Sequence, residues 1–135
     1  IRYRSYLRYQ KDLVIASEDY FEQNIFSKIK DIEYTDVDAM RSIRAITSFM
    51  FDIEEDNQGR FVMPPVLRDY AGIEKNIVTI GAGNVIEVWS EDRFNKNLNG
   101  NTDYEQDLPE GSLDFNQVLK EFNKLLRRNS NTNGQ

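Results

Sequence analysis

Asp56-Asn57-Gln58-Gly59-Arg60, running into Phe61-Val62-Met63-Pro64, is the stretch of this 135-residue chain whose residue types and spacing best suit anion recognition. An arginine at the start of a strand, just past a tight turn, can project its planar fork of N–H donors from the end of a hairpin. That fork matches a phosphate, or the acceptor edge of a guanine. Gly59 supplies the positive φ that such a turn needs, and Asp56 can accept from the turn amides or pair with Arg60. Taken in isolation, the pattern is more simply a structural hairpin closed by a local salt bridge.

Other chemistries are excluded by what the chain lacks. It has no histidine and no cysteine. There is thus no disulfide, no thiol nucleophile, no iron–sulfur cluster, no His- or Cys-ligated metal and no serine–histidine triad. Glu18/Asp19 and Glu91/Asp92 are carboxylate pairs of the kind used in acid–base work. Each pair directly follows a serine, Ser17 or Ser90, where helix capping is the simpler role. Trp89 and the tyrosines fit a core or an interface better than a ligand stack. A binding or regulatory protein is therefore expected rather than an enzyme, with no catalytic residue, metal, cofactor or small-molecule substrate.

Seventeen basic and 23 acidic side chains give a net charge of -6. That sum speaks against nucleic acid, whose binders carry basic patches, but binding is local. About -4 of it falls within residues 91–111, outside the proposed turn. Asp52, Glu54, Glu55 and Asp56 do lie beside Arg60. Residues 1–11 carry Arg2, Arg4, Arg8 and Lys11 with no acid, interleaved with Tyr3, Tyr6, Leu7 and Tyr9. This segment reads as an amphipathic first helix or an edge segment, or else as a nucleic-acid arm. No apolar run is long enough to span a membrane, and no signal-peptide core follows the first residues. The initial Ile1 suggests residues upstream.

The elements that must position these groups follow from periodicity. Leu13-Val14-Ile15-Ala16 reads as a short buried strand. Ser17 caps a helix with Phe21, Ile25, Ile29 and Ile32 as its buried stripe. Thr35 or Asp36 caps a second helix, with Val37, Met40, Ile43, Thr47 and Met50 on one face. Phe51 and Ile53 alternate with Asp52 and Glu54 in a half-buried strand, which the Asp56–Arg60 turn joins to a return strand Phe61-Val62-Met63. Pro64-Pro65 leads into a short helix, Val66 to Ala71, closed by Gly72. A hairpin pairs Ile77–Ile80 with Val85–Trp89, and Ser90 caps a helix containing Phe94. Asn97 to Gly111 reads as a flexible linker. Ser112 or Asp114 then starts a helix with Phe115, Val118, Leu119, Phe122, Leu125 and Leu126 on one face, which must dock on the body or on another subunit.

The chain also repeats itself. Leu13-Val14-Ile15-Ala16-Ser17-Glu18-Asp19-Tyr20-Phe21 aligns with Ile86-Glu87-Val88-Trp89-Ser90-Glu91-Asp92-Arg93-Phe94 at an offset of 73 residues, 90 minus 17. Two related halves, each ending in strand, cap and helix, are implied. The second half has a hairpin around Asp56–Arg60 ahead of its junction; a counterpart in the first half would precede these residues or be lost.

From Asp56 through Pro64-Pro65-Val66-Leu67-Arg68-Asp69-Tyr70-Ala71-Gly72-Ile73, the sequence closely resembles the second repeat of the MraZ family, transcriptional repressors of the bacterial division and cell-wall gene cluster. The resemblance continues through Lys75-Asn76-Ile77-Val78, Gly81-Ala82-Gly83 and Ile86-Glu87-Val88-Trp89. Upstream, Asp36-Val37-Asp38-Ala39-Met40-Arg41 with Arg44 is similar to that family's inter-repeat helix. The resemblance implies an α+β fold of the AbrB/MraZ type: a barrel of interlocked β-hairpins with short helices and a C-terminal helix.

Its parts would be an incomplete first repeat (1–48), a complete second repeat (49–96), the linker (97–111), the C-terminal amphipathic helix (112–128) and a disordered tail (129–135). It further implies a repressor that is cytoplasmic and nucleoid-associated, assembles as a ring homo-oligomer and binds direct repeats in promoter double-stranded DNA. Carried over by position, Arg60 is the base- or phosphate-contacting residue, Asp56 its orienting partner, Gly59 the turn former, and Asn57 and Gln58 the polar tip. Arg2 and Arg4 of the basic N-terminal cluster join the candidate DNA-binding set. The alternative is an oligomeric structural or interaction module of the same fold with weak or lost DNA binding.

Overall fold

The computed structural model describes residues 2–8, 11–100 and 115–133. It is an α+β fold built on a five-stranded antiparallel sheet of order β3-β1-β2-β5-β4. The strands are β1 (Tyr3–Leu7), β2 (Leu13–Ser17), β3 (Phe51–Ile53), β4 (Ile77–Ala82) and β5 (Val85–Ser90). The helices are α1 (Glu18–Phe21), which runs through a π-helical turn (Glu22–Phe26) into α2 (Ser27–Ile29), then α3 (Val37–Ser48), α4 (Pro65–Tyr70), α5 (Glu91–Leu98) and α6 (Phe115–Asn133). Among the described residues the sheet is open, with β3 and β4 at its edges.

The repeat is visible in the register at the centre of the sheet. β2 and β5 pair antiparallel, with Val14 opposite Glu87, Leu13 opposite Val88 and Ile15 opposite Ile86. At an offset of 73, Val14 is thus paired with its own counterpart, and its neighbours pair crosswise, so a local twofold axis passes between Val14 and Glu87. The caps obey the same relation. Ser17 Oγ accepts from Tyr20 N at 3.2 Å, and Ser90 Oγ accepts from Arg93 N at 3.1 Å. Both satisfy an amide that the first helical turn leaves without a partner.

Residues opposite one another across a ladder share a face. Arg4, Tyr6, Val14, Ala16, Glu87 and Trp89 therefore lie on one side of the sheet. The Glu18–Ile29 stretch covers part of that side. Tyr6 meets Phe21 edge to face at 5.4 Å between ring centroids, and Phe21 and Ile25 are buried as the helical spacing requires. Helix α6 packs on α2 and α3 of its own chain, where Leu119 and Phe122 join the same core as Val14, Phe21, Ile25 and Ile46.

Several expectations change here. Residues 3–7 form a strand rather than a helix, and β1 lies between β3 and β2 rather than at an edge. Ser5, Tyr6 and Leu7 are all buried, so no polar–apolar alternation marks this strand; pairing with β2 on one side and β3 on the other decides the outcome. Phe61–Met63 forms no strand; β3 pairs with β1 instead, and Val62 is 81% exposed. In α3 the buried residues are Ala39, Ser42 and Ile46, while Val37 is exposed. Small residues let a neighbouring element approach closely, a signal that a search for large apolar side chains passes over. Ser42 tolerates burial because its hydroxyl donates to the Ala39 carbonyl at 2.9 Å.

Helix α6 continues to Asn133, past the position expected for its end at Arg128. The expected linker overlaps the end of α5, and its residues 101–111 lie outside the described residues, as do Ser112 and Asp114, the candidate caps. Pro65 opens α4 as expected. Gly72, at φ +69°, closes it where a Cβ would come within 2.8 Å of the Arg93 guanidinium, which donates to the Tyr70 carbonyl at 2.8 Å. That contact joins the end of α4 to the start of α5.

Candidate nucleic-acid interface

Strand β3 leaves the sheet at Ile53, and the chain then makes a closed five-residue loop. Asp56 N donates to Arg60 O at 2.7 Å and Gly59 N donates to Asp56 O at 3.1 Å. Gly59 sits at φ +77°, with open space around the position of a Cβ, so its identity is demanded by backbone conformation rather than by packing. The Asp56 side chain organises the rest. Its Oδ1 accepts from Gln58 N at 2.9 Å and from Arg60 N at 2.8 Å, and its Oδ2 accepts from Arg60 Nε at 2.8 Å.

The electrostatic consequence is direct. The Arg60 amide, then the Gln58 amide, favour the ionised carboxylate, and with the Arg60 guanidinium they hold the Asp56 carboxyl below its ordinary value against a small opposing effect of burial. Arg60 is gripped at Nε while its side chain stays 74% exposed. With Nε held by Asp56 and most of the side chain exposed, the two Nη groups at the end of the fork are left to meet a partner. Such an arrangement suits a planar or doubly accepting partner, a phosphate or the O6/N7 edge of guanine. Asn57, Gln58, Gly59, Arg60 and Phe61 are all exposed at this tip.

The two N-terminal arginines stand differently from Arg60 and from each other. Arg2 is exposed at the start of β1, and its carbonyl accepts from Glu18 N at 3.0 Å. Arg4 is turned into the protein: Nη2 donates to Glu18 Oε1 at 3.0 Å and Nε lies 3.5 Å from Asp52 Oδ1. Sequence reasoning grouped Arg2 and Arg4 by charge alone, because the register that sets Arg4 opposite Asp52 is not visible in the sequence. Among the described residues no group of His, Cys, Asp or Glu is placed to hold a metal ion, and no helix is long and apolar enough to cross a membrane.

Residues 50–108 match the family model "MraZ protein, putative antitoxin-like". Over this stretch the chain is similar to the MraZ family. Proteins named "Transcriptional regulator MraZ" are similar to it along much of its length. The one from Carboxydothermus hydrogenoformans is 34% identical over 91 residues, covering 67% of this chain and 64% of the relative. The Clostridium beijerinckii protein is 37% identical over 98 residues, covering 73% and 61%. That of Clostridium tetani is 39% identical over 79 residues, covering 58% and 56%. The chain thus spans less than two thirds of the length of these MraZ relatives. The family match contains the whole Asp56–Arg60 turn and the β4–β5 hairpin.

Proposed function

We propose that this chain is a sequence-specific DNA-binding transcriptional regulator, a repressor, whose DNA-facing element is the Asp56–Arg60 turn. The observation that carries this reading is the Arg60 guanidinium, held at Nε by Asp56 and exposed at its outer end. The shared name of the relatives supports it. Arg60 makes the base or phosphate contact, Asp56 orients it, Gly59 forms the turn, and Asn57 and Gln58 line the tip; Arg2 is left as a flanking phosphate contact. A bidentate guanine contact is worth about 1–3 kcal/mol of discrimination, whereas a phosphate contact positions without selecting.

The finer parts of the reading are a barrel, a ring and repeated operator sites. The local twofold at Val14/Glu87 supports closure of the sheet. Because β3 of the second half pairs with β1 of the first, a strand equivalent to β3 on the outer edge of β4 would complete the same symmetry. That exchange is what an interlocked-hairpin barrel requires. A ring homo-oligomer on promoter direct repeats presents several turns to one duplex, so avidity offsets weak single contacts. Such a protein works in the cytoplasm at the nucleoid.

A second reading, an oligomeric interaction module with weak or lost DNA binding, is favoured by Asp52, Glu54 and Glu55 ahead of the turn and by the net charge of -6. Binding to double-stranded DNA containing direct repeats, measured across a salt series, separates the two. The repressor reading expects a steep loss of affinity with salt and at least a tenfold loss on Arg60→Ala, on the scale of one bidentate contact. Equal binding by Arg60→Ala and wild type, or no retention at low salt, selects the interaction module.

A further inference from the structure

We infer that Arg4 is a positioning residue for the Arg60 turn and makes no contact with DNA, an inference that rests on the DNA-binding reading of that turn. Strand β3, which delivers the turn, is short: Phe51–Ile53, held on one side by β1 and open on the other. Three residues at a sheet edge make few ladder hydrogen bonds, so a side-chain tie across the pair carries an unusual share of the strand's orientation. Arg4 is that tie. It stands opposite Asp52 in the β1–β3 register, on the same face of the sheet.

The guanidinium is fixed from three directions. Nη2 donates to Glu18 Oε1 at 3.0 Å, Nε lies 3.5 Å from Asp52 Oδ1, and its carbon lies 5.7 Å from the centroid of the Phe26 ring. Glu18 and Phe26 belong to the helical stretch that covers the sheet, so Arg4 links three elements: β1, that stretch, and the strand that carries the turn. Its side chain is only 30% exposed, and Nε is buried without a hydrogen-bond partner, so its tie to Asp52 is a charge contact at 3.5 Å and not a hydrogen bond. Reaching a phosphate would mean leaving both carboxylates, one of which stands at the root of the turn. Arg60 is built the opposite way: one local carboxylate, and an exposed outer end.

The experiment compares Arg4→Met, Arg4→Lys, Asp52→Asn and the Arg4→Met/Asp52→Asn double variant, with Arg60→Ala alongside. Affinity for direct-repeat duplex DNA is read across a salt series, and the amide resonances of Gln58, Gly59 and Arg60 are read without DNA. Arg4→Met is expected to weaken binding roughly two- to fivefold, the scale of a partly exposed ion pair. The salt slope stays that of the wild type, the loss shrinks in the Asp52→Asn background, and Arg4→Lys restores part of it.

The three amides shift in Arg4→Met but not in Arg44→Met, an exposed arginine on α3 that serves as the control. A salt slope reduced by about one unit, with the same loss in both Asp52 backgrounds, identifies a phosphate contact and overturns the inference. Wild-type affinity together with unmoved amides also overturns it. If Arg60→Ala binds as tightly as wild type, it is the DNA reading that fails, and the amide shifts alone then decide whether Arg4 sets the turn.

Discussion

Asp56 does more to shape the turn than the arginine it serves. One of its carboxylate oxygens takes two backbone amides and the other takes Arg60 Nε, so three of its contacts close on a loop of five residues. The first two causes of its lowered pKa are the Arg60 and Gln58 amides; the guanidinium contributes least. Replacing the arginine side chain should therefore leave most of the shift in place. A carboxyl NMR titration is expected to give Asp56 a midpoint below the ordinary 3.8 in the wild type, and still below it in Arg60→Ala. The sign follows from linkage: a depressed folded pKa stabilises the turn above the ordinary carboxylate pKa, and that contribution is lost as pH falls through the lower folded value. The turn thus keeps its order throughout the neutral range and loosens only in acid. An Asp56 midpoint at or above the ordinary value would contradict the geometry. At this scale the sequence was readable, because an Asp, a Gly and an Arg inside five residues fix their own local hydrogen bonds.

Elements depend on partners that the sequence does not name. Strand β2, helix α3 and the β4–β5 hairpin could be read from alternation, caps and a glycine turn, which are properties of neighbouring residues. Strand β1 could not, since Arg and Tyr interleaved over residues 1–11 serve a helix or a strand equally well until β2 and β3 flank it. Phe61–Met63 shows the converse: an apolar run after a turn stays unpaired when no strand lies beside it.

The loop that joins β1 to β2 rests on an equally distant pairing, because Arg8 bridges Asp12 within the loop and Glu87 on β5, 79 residues away. Glu87 also accepts from Trp89 Nε1 at 3.1 Å. Asp12 has no solvent exposure; burial pushes its carboxyl up, and Arg8 opposes that shift. Removing the cation leaves a buried carboxylate without its charge partner. Arg8→Met should therefore cost about 3–5 kcal/mol in urea unfolding, and Arg8→Met/Asp12→Asn should recover a good part of it. A loss below about 1 kcal/mol for Arg8→Met, the level of a surface pair, would show that the loop is not anchored this way.

The molecule as a whole joins a twofold sheet to a helical layer that breaks the symmetry. The two strand–cap–helix junctions are related about Val14/Glu87, whereas among the described residues α6 packs on α2, which continues the first junction, and on α3. The apolar stripe requires this helix to dock but leaves open on what, because a stripe matches any apolar surface. Leu119 and Phe122 belong to the core that also holds Val14, Phe21, Ile25 and Ile46, so the helix at the end of the chain is part of the unit that carries the sheet. Its truncation at one side chain tests that unity. Phe122→Ala removes a nearly fully buried ring and is expected to cost about 3–5 kcal/mol. Trp89, the single tryptophan, is buried on β5 and edge to face with Phe94 at 6.1 Å, so its fluorescence reports the sheet, while far-ultraviolet circular dichroism reports the helices. In one cooperative unit both signals move together to lower denaturant in Phe122→Ala and remain superimposable. A Trp89 transition that stays in place while the helical signal is lost early would make α6 a separately melting layer, and would detach the core of α2 and α3 from the sheet on which the Arg60 turn is mounted.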